Sequence, residues 1–584
     1  MSKSVFLPFT HQPSQDEKGN PILKKYSYTL TTSREYPAAE SMLYACGIKD
    51  EEQMYNTPHV GIASVWWEGN PCNQHLLELG KVVKQGVEKE GLIGWQFNTI
   101  GVSDAITMGN QGMRFSLQSR DIIADSIETT TCAQWHDANI SIPGCDKNMP
   151  GTLMAMARFN RPSIMIYGGT IKPGKSTKTG EPLLVSHCFE MHGQFETGKV
   201  DRETFDEVIR HACPGSGACG GQYTANTMST AAEAMGMSLP GSSSMPAESP
   251  AKMRECLGAG KYIKILMEKD IKPRDIMTRA AFENAVVMTM ALGGSTNACL
   301  HLLAIAHSAD VEFSLQDIHD VGTRVPYIAD LKPSGKYVME DLYEIGGVPA
   351  VMKLLHAAGF LNGNILTVTG KTLAENLKSA LSLPQDQVII RPLSNPIKST
   401  GHIRVLRGNV APGGAVAKIT GKEGNQFVGK ARVFDSEEAA IQAFIHHELK
   451  LGENIVIVIR YEGPKGGPGM PEMLKLSAML SGTEFATSAA LITDGRYSGA
   501  SHGFIIGHIC PEAQEGGPIA IIENDDVITI DAVANTISMN VSDLEIEKRL
   551  ALWKKPPLKV NRGTLAKYAA LVSDASHGCV TDLF

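Results

Sequence analysis

Chemically reactive side chains follow three strand-like apolar runs in the first part of the chain. Cys72 comes after HVGIASVWW, and Asp104 comes after FNTIGVS. The pair Cys145 and Asp146 comes after ANISI. In an open parallel sheet, ligands bind beyond the carboxyl ends of the strands. We therefore expect these loops to share one site, to which the glycine-rich stretch CPGSGACGGQYTANTM adds Cys213 and Cys219.

The thiols and carboxylates together indicate that the site binds two different kinds of metal. Thiolates select iron–sulfur clusters or zinc, whereas carboxylates select magnesium or manganese. Three cysteines far apart in the sequence can hold a cluster in which one iron lacks a protein thiolate and acts as a Lewis acid. Cys72, Cys145 and Cys219 are the candidates, because Gly, Pro and Asp flank them in loops. Other cysteines fit better as small apolar side chains: Cys46, Cys132, Cys188, Cys256, Cys299, Cys510 and Cys579.

Two glycine-rich loops in the last third of the chain could complete the site. RYEGPKGGPGMPEM and LITDGRYSGASHG each begin at the end of an apolar run and then break into glycines, as loops shaped around a ligand do. On spacing alone, each reactive residue in these loops is more typical of a solvated loop position than of a catalytic one. The serine in particular has no histidine partner, so it would need a metal to become a base. The candidates are Glu462, Glu472, Asp494, Arg496 and Ser498.

A nucleotide-binding function is an alternative. SIMIYGGTIKPGKST matches the phosphate-binding P-loop pattern, ending at Lys175 and Ser176. Pro173 has no N–H to offer a phosphate, and Gly180 interrupts the helix that should follow. We interpret the match as a surface loop that leaves a buried strand. An NTPase would instead bind ATP, and Lys175→Ala would abolish that binding.

The composition limits the function classes. A chain of 584 residues is long enough for at least two domains. Its net charge of -8 and isoelectric point near 6.1 give no basic surface for nucleic acid. No apolar run approaches the roughly 18 residues of a membrane span, and the N-terminus shows neither a signal-peptide nor a transit-peptide pattern. Eleven cysteines without a C-x-x-C pair favour a reduced intracellular protein.

The pattern of apolar runs predicts an α/β fold. Strand-like and helical patterns alternate between residues 58 and 169, which indicates βαβ units and a parallel sheet, and residues 221–310 look largely helical. After residue 383, strand-like runs dominate, among them KARVFD, NIVIVIRYEG, SAALITDG, GFIIGHI, PIAIIEN, DVITID and TISMNV, with helices near 437–448 and 543–553. We predict an N-terminal arm (1–35), an α/β domain (36–385) and a β-rich, barrel-like domain (386–584).

Six motifs in the same order closely resemble the dihydroxy-acid and phosphogluconate dehydratase family. They are NPCN, SIPGCDKNMPG, GACGGQYTANTM, GGSTN, RYEGPKGGPGMPEM and TDGRYSG, and the likeness runs from about residue 35 to the C-terminus. Within the family, SVWWEGNPCN and DANISIPGCDKNMPG look like the fungal type of dihydroxy-acid dehydratase. The resemblance implies an N-terminal α/β domain, a C-terminal β-barrel domain and a site between them.

The resemblance also assigns roles to residues of this chain. Cys72, Cys145 and Cys219 would hold a [2Fe-2S] cluster. Mg2+ would be bound by Asp104, Asp146, a carbamylated Lys147 and Glu472, the last in preference to Glu462, and Ser498 would be the general base. The family further implies a homodimer, a small dihydroxy-acid substrate and no nucleic-acid or membrane partner. It places the protein in the mitochondrial matrix, with the cytoplasm as the alternative.

The implied reaction removes water from a 2,3-dihydroxy-3-methyl carboxylate and gives a 2-oxo acid for valine and isoleucine synthesis. A Ser498 alkoxide would take the C2 proton while Mg2+ offsets the developing charge, and the open iron would help the C3 hydroxyl to leave. A dehydratase for sugar acids (aldonates) is the alternative within the family. Such relatives often carry Thr two residues after the base, where this chain has Ala500. A non-catalytic iron–sulfur sensor is an alternative from another class.

Overall fold

A computed structural model describes residues 22–31, 35–196, 198–420, 424–449, 452–481, 483–499, 501 and 503–583. The strands in chain order are β1 (His59–Ser64), β2 (Ile93–Asn98), β3 (Ala138–Ile142), β4 (Ser163–Met165), β5 (Gly174–Lys175), β6 (Pro182–Leu183), β7 (Ile403–Leu406), β8 (Gly414–Lys418), β9 (Gln426–Phe434), β10 (Ile455–Ile459), β11 (Glu472–Met473), β12 (Ala489–Thr493), β13 (Arg496–Tyr497), β14 (Ile505–Cys510), β15 (Val527–Asp531) and β16 (Thr536–Met539).

The α-helices between residues 22 and 377 are α1 (Tyr28–Thr31), α2 (Pro37–Ala45), α3 (Glu51–Asn56), α4 (Leu76–Lys89), α5 (Asp104–Thr107), α6 (Arg114–Ala133), α7 (Asn148–Phe159), α8 (Val185–Glu196), α9 (Arg202–His211), α10 (Thr224–Met235), α11 (Pro250–Glu268), α12 (Pro273–Ile276), α13 (Arg279–Leu292), α14 (Asn297–Ser308), α15 (Leu315–Arg324), α16 (Met339–Glu344), α17 (Gly347–Ala357) and α18 (Leu373–Leu377). Those that follow are α19 (Glu437–Ile445), α20 (Lys475–Ser481), α21 (Asp543–Leu552) and α22 (Gly563–Leu571).

The N-terminal part contains a parallel sheet covered by helices. Its strand order is β2-β1-β3-β4, and every pair in it is parallel. Strands β1 and β3 are buried along their whole length, as expected for central strands with both faces covered. The alternation of strands and helices predicted from the sequence is confirmed, and SIMIY does contribute a strand, β4, to this sheet.

The C-terminal part contains an eight-stranded sheet that curls into a nearly closed barrel. Its order is β16-β15-β9-β10-β12-β14-β8-β7, and a bridge between Arg407, just after β7, and Thr536 in β16 joins the two edges. Val456 and Val458 of β10 join the apolar core inside the barrel. The alternate residues of β10 pack under α19 and α20. The predicted class, α/β with a barrel-like C-terminal part, is confirmed.

Two local expectations differ from the structure, and one alternative is excluded by it. PIAIIEN does not form a strand, because Pro518 starts a 3-10 turn there. Strands β7 and β8 were not predicted, because Pro and Gly residues on either side of β7 and before β8 indicated turns there. Lys175 lies in β5, paired with β6, rather than at the start of a helix. A helix N-terminus is what a P-loop uses to bind phosphate, so the nucleotide-binding alternative is wrong.

Two predictions fall wholly or partly on residues that the structure does not describe. Most of the predicted arm, residues 1–35, lies outside the described residues. So does Ala500, on which the comparison with sugar-acid dehydratases depends. No helix among the described residues is long and apolar enough to cross a membrane.

Close backbone contact between α4 and α11 gives a stability prediction. A Cβ on Gly86 would lie 2.3 Å from the Leu257 carbonyl oxygen, and one on Gly260 would lie 2.1 Å from the Gly86 oxygen. Gly86→Ala should therefore destabilise the protein by about 1–3 kcal/mol, because backbone atoms must move. Gly258→Ala is the matched control, since a Cβ there meets nothing within 4 Å and alanine favours a helix by up to about 1 kcal/mol. Urea unfolding that leaves G86A as stable as G258A would contradict this contact.

Candidate active site

Three carboxylates from distant parts of the chain meet in the interior. Asp104 begins α5 beyond the end of β2, Asp146 lies beyond the end of β3, and Glu472 begins β11. One oxygen of each lies within 4.8 Å of an oxygen of each of the others. Carboxylate oxygens are the ligands that Mg2+ prefers, so this group could hold a hard divalent ion.

Lys147 lies among these carboxylates and is 2% exposed. It forms an ion pair with Asp104, and its Nζ is 3.2 Å from Glu472 Oε2 and 3.8 Å from Asp146 Oδ2. Burial disfavours the ammonium, but Asp104 and Glu472 outweigh burial and raise the pKa of Lys147. Burial also disfavours the Asp104 carboxylate, but Lys147 and Arg496 lower its pKa. Burial, followed by repulsion from Asp104, raises the pKa of Asp146 well above its usual range.

Neutral and cationic donors from three other elements fix the carboxylates. Arg496 Nη1 and Asn297 Nδ2 each donate to Glu472 Oε2 at 2.8 Å. Ser116 Oγ donates to Asp104 Oδ1 at 2.7 Å. Sequence reasoning missed Asn297 and Ser116 as site residues. Asn297 stands in the GGSTN motif, which was the available signal, whereas nothing local distinguishes Ser116 within its helix.

Strand pairing places Ser498 next to the carboxylate group. In the parallel pair of β11 and β13, Glu472 is opposite Arg496 and Met473 is opposite Tyr497. The Ser498 N–H then donates to the Met473 carbonyl at 2.9 Å, and the Ser498 side chain is half-buried. The serine and a carboxylate of the metal group are thereby held in register by main-chain hydrogen bonds.

The three predicted cysteines also come together. The Cys72 thiol hydrogen-bonds to the Cys145 sulfur, and this bond, followed by burial, raises the pKa of Cys72 well above its usual range. The same bond lowers the pKa of Cys145 against the effect of burial, with help from the Asn70 side chain and the Asp104 backbone N–H. Burial raises the pKa of Cys219 well above its usual range. Cys145 is thus the sulfur of the three that ionises most readily.

A largely apolar cavity of about 210 Å³ lies beside two of the three cysteines. Cys72 and Cys219 line it, together with Ser103, which precedes Asp104. The two sides also meet in the chain itself, because Cys145 is followed directly by Asp146. The structure therefore brings the three predicted cysteines into the same region as Asp104, Asp146 and Glu472.

Two sequence candidates lie outside the metal group, by which we mean the carboxylates Asp104, Asp146 and Glu472. Asp494 accepts backbone N–H bonds from Tyr461, Glu462 and Ala513, and burial raises its pKa to about 6. The Glu462 carboxylate forms ion pairs with Arg114 and Lys559 and does not join the group of Asp104, Asp146 and Glu472. Asp494 thus orders the loop that leads to β11, and Glu462 ties that loop to neighbouring elements.

Comparison with known proteins is consistent with this arrangement. The sequence model of the dihydroxy-acid/6-phosphogluconate dehydratase N-terminal domain matches residues 57–376, and that of the C-terminal domain matches residues 388–579. The chain belongs to this family. It is therefore a dehydratase, which is a hydro-lyase.

The chain is similar to named members of the family along almost its whole length. It is 61% identical to the mitochondrial dihydroxy-acid dehydratase of Schizosaccharomyces pombe, over 96% of this chain and 94% of that protein. It is 55% identical to the mitochondrial dihydroxy-acid dehydratase of Saccharomyces cerevisiae, over 96% of both chains. It is 58% identical to the dihydroxy-acid dehydratase of Francisella tularensis subsp. novicida, over 96% of this chain and 99% of that protein.

The side chains present in this dehydratase fit both groups expected from the sequence. The sulfurs of Cys72, Cys145 and Cys219 come from three separate loops, and two of them, Cys72 and Cys219, line one cavity, which suits a cluster that keeps one iron position open. Asn148 Nδ2, three residues after Cys145, is buried and has no hydrogen-bond partner among the described residues. On the other side, the three carboxylates share two cations among the residues that the structure describes, Lys147 and Arg496, so the excess negative charge suits a divalent ion.

The metal group gives a binding prediction that separates two neighbouring glutamates. Glu472→Gln should weaken Mg2+ binding at least about tenfold, because changes even outside the ligand shell cost 10–100-fold. Glu462→Gln is the control, since Glu462 is equally buried at 3% but pairs with Arg114 and Lys559. Titration with Mn2+ followed by electron paramagnetic resonance measures both. Equal affinities in the two variants would remove Glu472 from the ligand set.

Proposed function

We propose that the chain dehydrates 2,3-dihydroxy-3-methyl carboxylates, namely 2,3-dihydroxyisovalerate and 2,3-dihydroxy-3-methylvalerate, to 2-oxo acids in valine and isoleucine synthesis. The supporting observation is that Cys145 and Asp146 are adjacent in the chain, so that one loop carries a sulfur of the three-cysteine group and a carboxylate of the acid group. Loss of a hydroxyl and loss of a proton occur at adjacent carbon atoms of such a substrate. A catalyst for this reaction needs two different chemical environments at close range, and this site supplies them.

We assign Cys72, Cys145 and Cys219 to a [2Fe-2S] cluster, and Asp104, Asp146, Glu472 and a carbamylated Lys147 to Mg2+. Carbamylation joins CO2 to the Lys147 nitrogen after the ammonium has lost a proton, and it replaces a cation by a carboxylate-like group. Lys147 lies among three carboxylates, so its carbamate oxygens would lie beside theirs. When bound, Mg2+ would offset negative charge at the substrate carboxylate and C2 oxygen, and the cluster would supply a Lewis acid for the C3 hydroxyl.

Ser498 is the group that we assign to proton transfer. Its Oγ would take the proton from C2 and later return a proton to the product enol. A serine oxygen becomes a base only where positive charge stabilises the alkoxide, and Arg496, two residues earlier, is a fully buried cation. The main-chain bond from Ser498 to Met473 would hold the oxygen in place through both proton transfers.

The other residues orient and shield the reactants. Arg496 and Asn297 hold Glu472 Oε2, and Ser116 holds Asp104, so neither carboxylate is free to turn. Ile171 and Leu184 line the cavity beside Cys219 and would exclude water from the reacting carbons. This apolar lining also suits a branched alkyl group better than the additional hydroxyls of a sugar acid.

Substrate turnover tests the proposed function. The purified protein should convert 2,3-dihydroxyisovalerate to its 2-oxo acid with a higher kcat/KM than any aldonate of similar length, because the cavity lining is apolar. The 2-oxo product is measured by its reaction with a hydrazine reagent. Preference for an aldonate would favour the sugar-acid alternative. An iron-containing protein that dehydrates neither substrate class would favour the sensor alternative.

Ser498→Ala tests the assigned base. Turnover should fall by about 10²–10⁴-fold, the range for loss of a general acid–base group, with an unchanged cluster spectrum. Ser501→Ala is the matched control, because Ser501 is buried close by and bonds to Ser477. Comparable kcat values in S498A and the unmodified protein would exclude Ser498 as the base. Comparable losses in S498A and S501A would point to a general disturbance of the loop.

Three further assignments rest on the family. We propose a homodimer and, because the two yeast relatives are named mitochondrial, the mitochondrial matrix as the location. We also propose that residue 385 ends the α/β domain. Sedimentation analysis, localisation of the full-length protein and limited proteolysis test these statements, respectively.

A further inference from the structure

Three buried asparagines lie between the loops of Cys72 and Cys145. Asn70, Asn73 and Asn148 are each at most 2% exposed. Asn70 and Asn73 flank Cys72, and Asn148 follows Cys145 by three residues. A buried amide is costly unless its oxygen and nitrogen find partners, so the arrangement of these bonds is informative.

The hydrogen bonds fix the orientation of each amide. Asn148 Oδ1 accepts the Cys145 N–H at 2.8 Å and the Gly144 N–H at 3.3 Å, so it must be the oxygen. Asn73 Nδ2 then donates to Asn148 Oδ1 at 2.9 Å and to the Val65 carbonyl at 2.6 Å. The remaining Asn73 oxygen accepts from the next amide, so the orientations form one consistent series.

Asn70 completes the series at the sulfur atoms. Its Nδ2 donates to Asn73 Oδ1 at 2.6 Å, and its Oδ1 accepts the Cys72 N–H at 3.3 Å. Its side chain also helps to lower the pKa of the Cys145 thiol. Asn70 is therefore bonded to the Cys72 backbone and lies near the Cys145 sulfur.

Close backbone packing supports the same link between the two loops. A Cβ on Gly144 would lie 2.0 Å from the Cys72 carbonyl oxygen, so the loops touch where no side chain fits. The third cysteine loop also attaches to the Cys72 loop, because the Gly217 N–H donates to the Pro71 carbonyl at 2.9 Å. The Cys72 loop is thus in contact with both of the others.

We propose that Asn70, Asn73 and Asn148 are positioning residues that hold the Cys72 and Cys145 sulfurs at the separation a cluster requires, before the cluster is inserted. The network is uncharged, so it orders the thiols without adding a charge of its own. The proposal rests on the proposed function in one respect, the assignment of the cysteines to a cluster. How close the Cys72 and Cys145 thiols lie can also be measured in protein that holds no cluster.

The experiment on the iron-loaded enzyme compares Asn73→Leu with the matched control Asn284→Leu. Asn284 is 1% exposed and bonds to both backbone groups of Asn362, away from the cysteines. Iron loss to a chelator should be at least about tenfold faster in N73L than in the unmodified protein and unchanged in N284L. Asn148→Ala, a milder change, should behave like N73L and serves if N73L does not fold.

A second measurement uses the iron-free protein. Treatment with diamide, a thiol oxidant, should join Cys72 and Cys145 in a disulfide, which peptide mass mapping detects. This step should be about tenfold slower in N73L or N148A than in N284L, on the scale of other supporting-residue effects. Slower disulfide formation in a protein that binds no iron would support the positioning role and contradict the proposed cluster. Unchanged rates of disulfide formation and of iron loss in N73L and N148A would overturn the positioning role alone, as would equal effects in N284L.

Discussion

Four consecutive residues beyond β3, Cys145 to Asn148, place a thiol, a carboxylate, an amine and an amide within one turn of chain. The backbone separates the sulfur of Cys145 from the carboxylate of Asp146 by a single peptide, so their spacing cannot vary much. Lys147 then enters the carboxylate group, while Asn148 bonds back to the Cys145 N–H. The remaining parts of the site are arranged around this loop, and the parallel sheet fixes its position.

Charge in the site is balanced at short range. Burying ions is unfavourable unless each has a partner, and three carboxylates here share Lys147 and Arg496. The carboxylate left without a full share of positive charge is Asp146, whose pKa is raised by burial and by Asp104. A site with more acids than cations favours a divalent ion for the same reason that it favours a proton. On the sulfur side, the donors are neutral amides, which suits ligands that must become thiolates.

The contributions of the two halves of the chain differ in kind. The parallel sheet presents Cys72, Asp104 and Cys145 at one edge, because the carboxyl ends of its strands lie together. The C-terminal part supplies Glu472, Arg496 and Ser498 through the short pair β11 and β13, which lies outside the barrel sheet. The ion pair between Glu472 and Lys147 therefore joins the two halves at the site itself.

The sequence by itself determined the fold class, the strands of the parallel sheet and the cysteines and acids of the site, because hydrophobic periodicity and motif composition are local properties. It could not reveal that Glu472 rather than Glu462 lies beside Lys147, since the choice depends on a loop ordered by Asp494. Family resemblance had favoured Glu472, but spacing had not. Ser116 and Asn297 became visible only when helices brought them to the carboxylates. Contacts between residues hundreds of positions apart depend on tertiary packing, which no local pattern encodes.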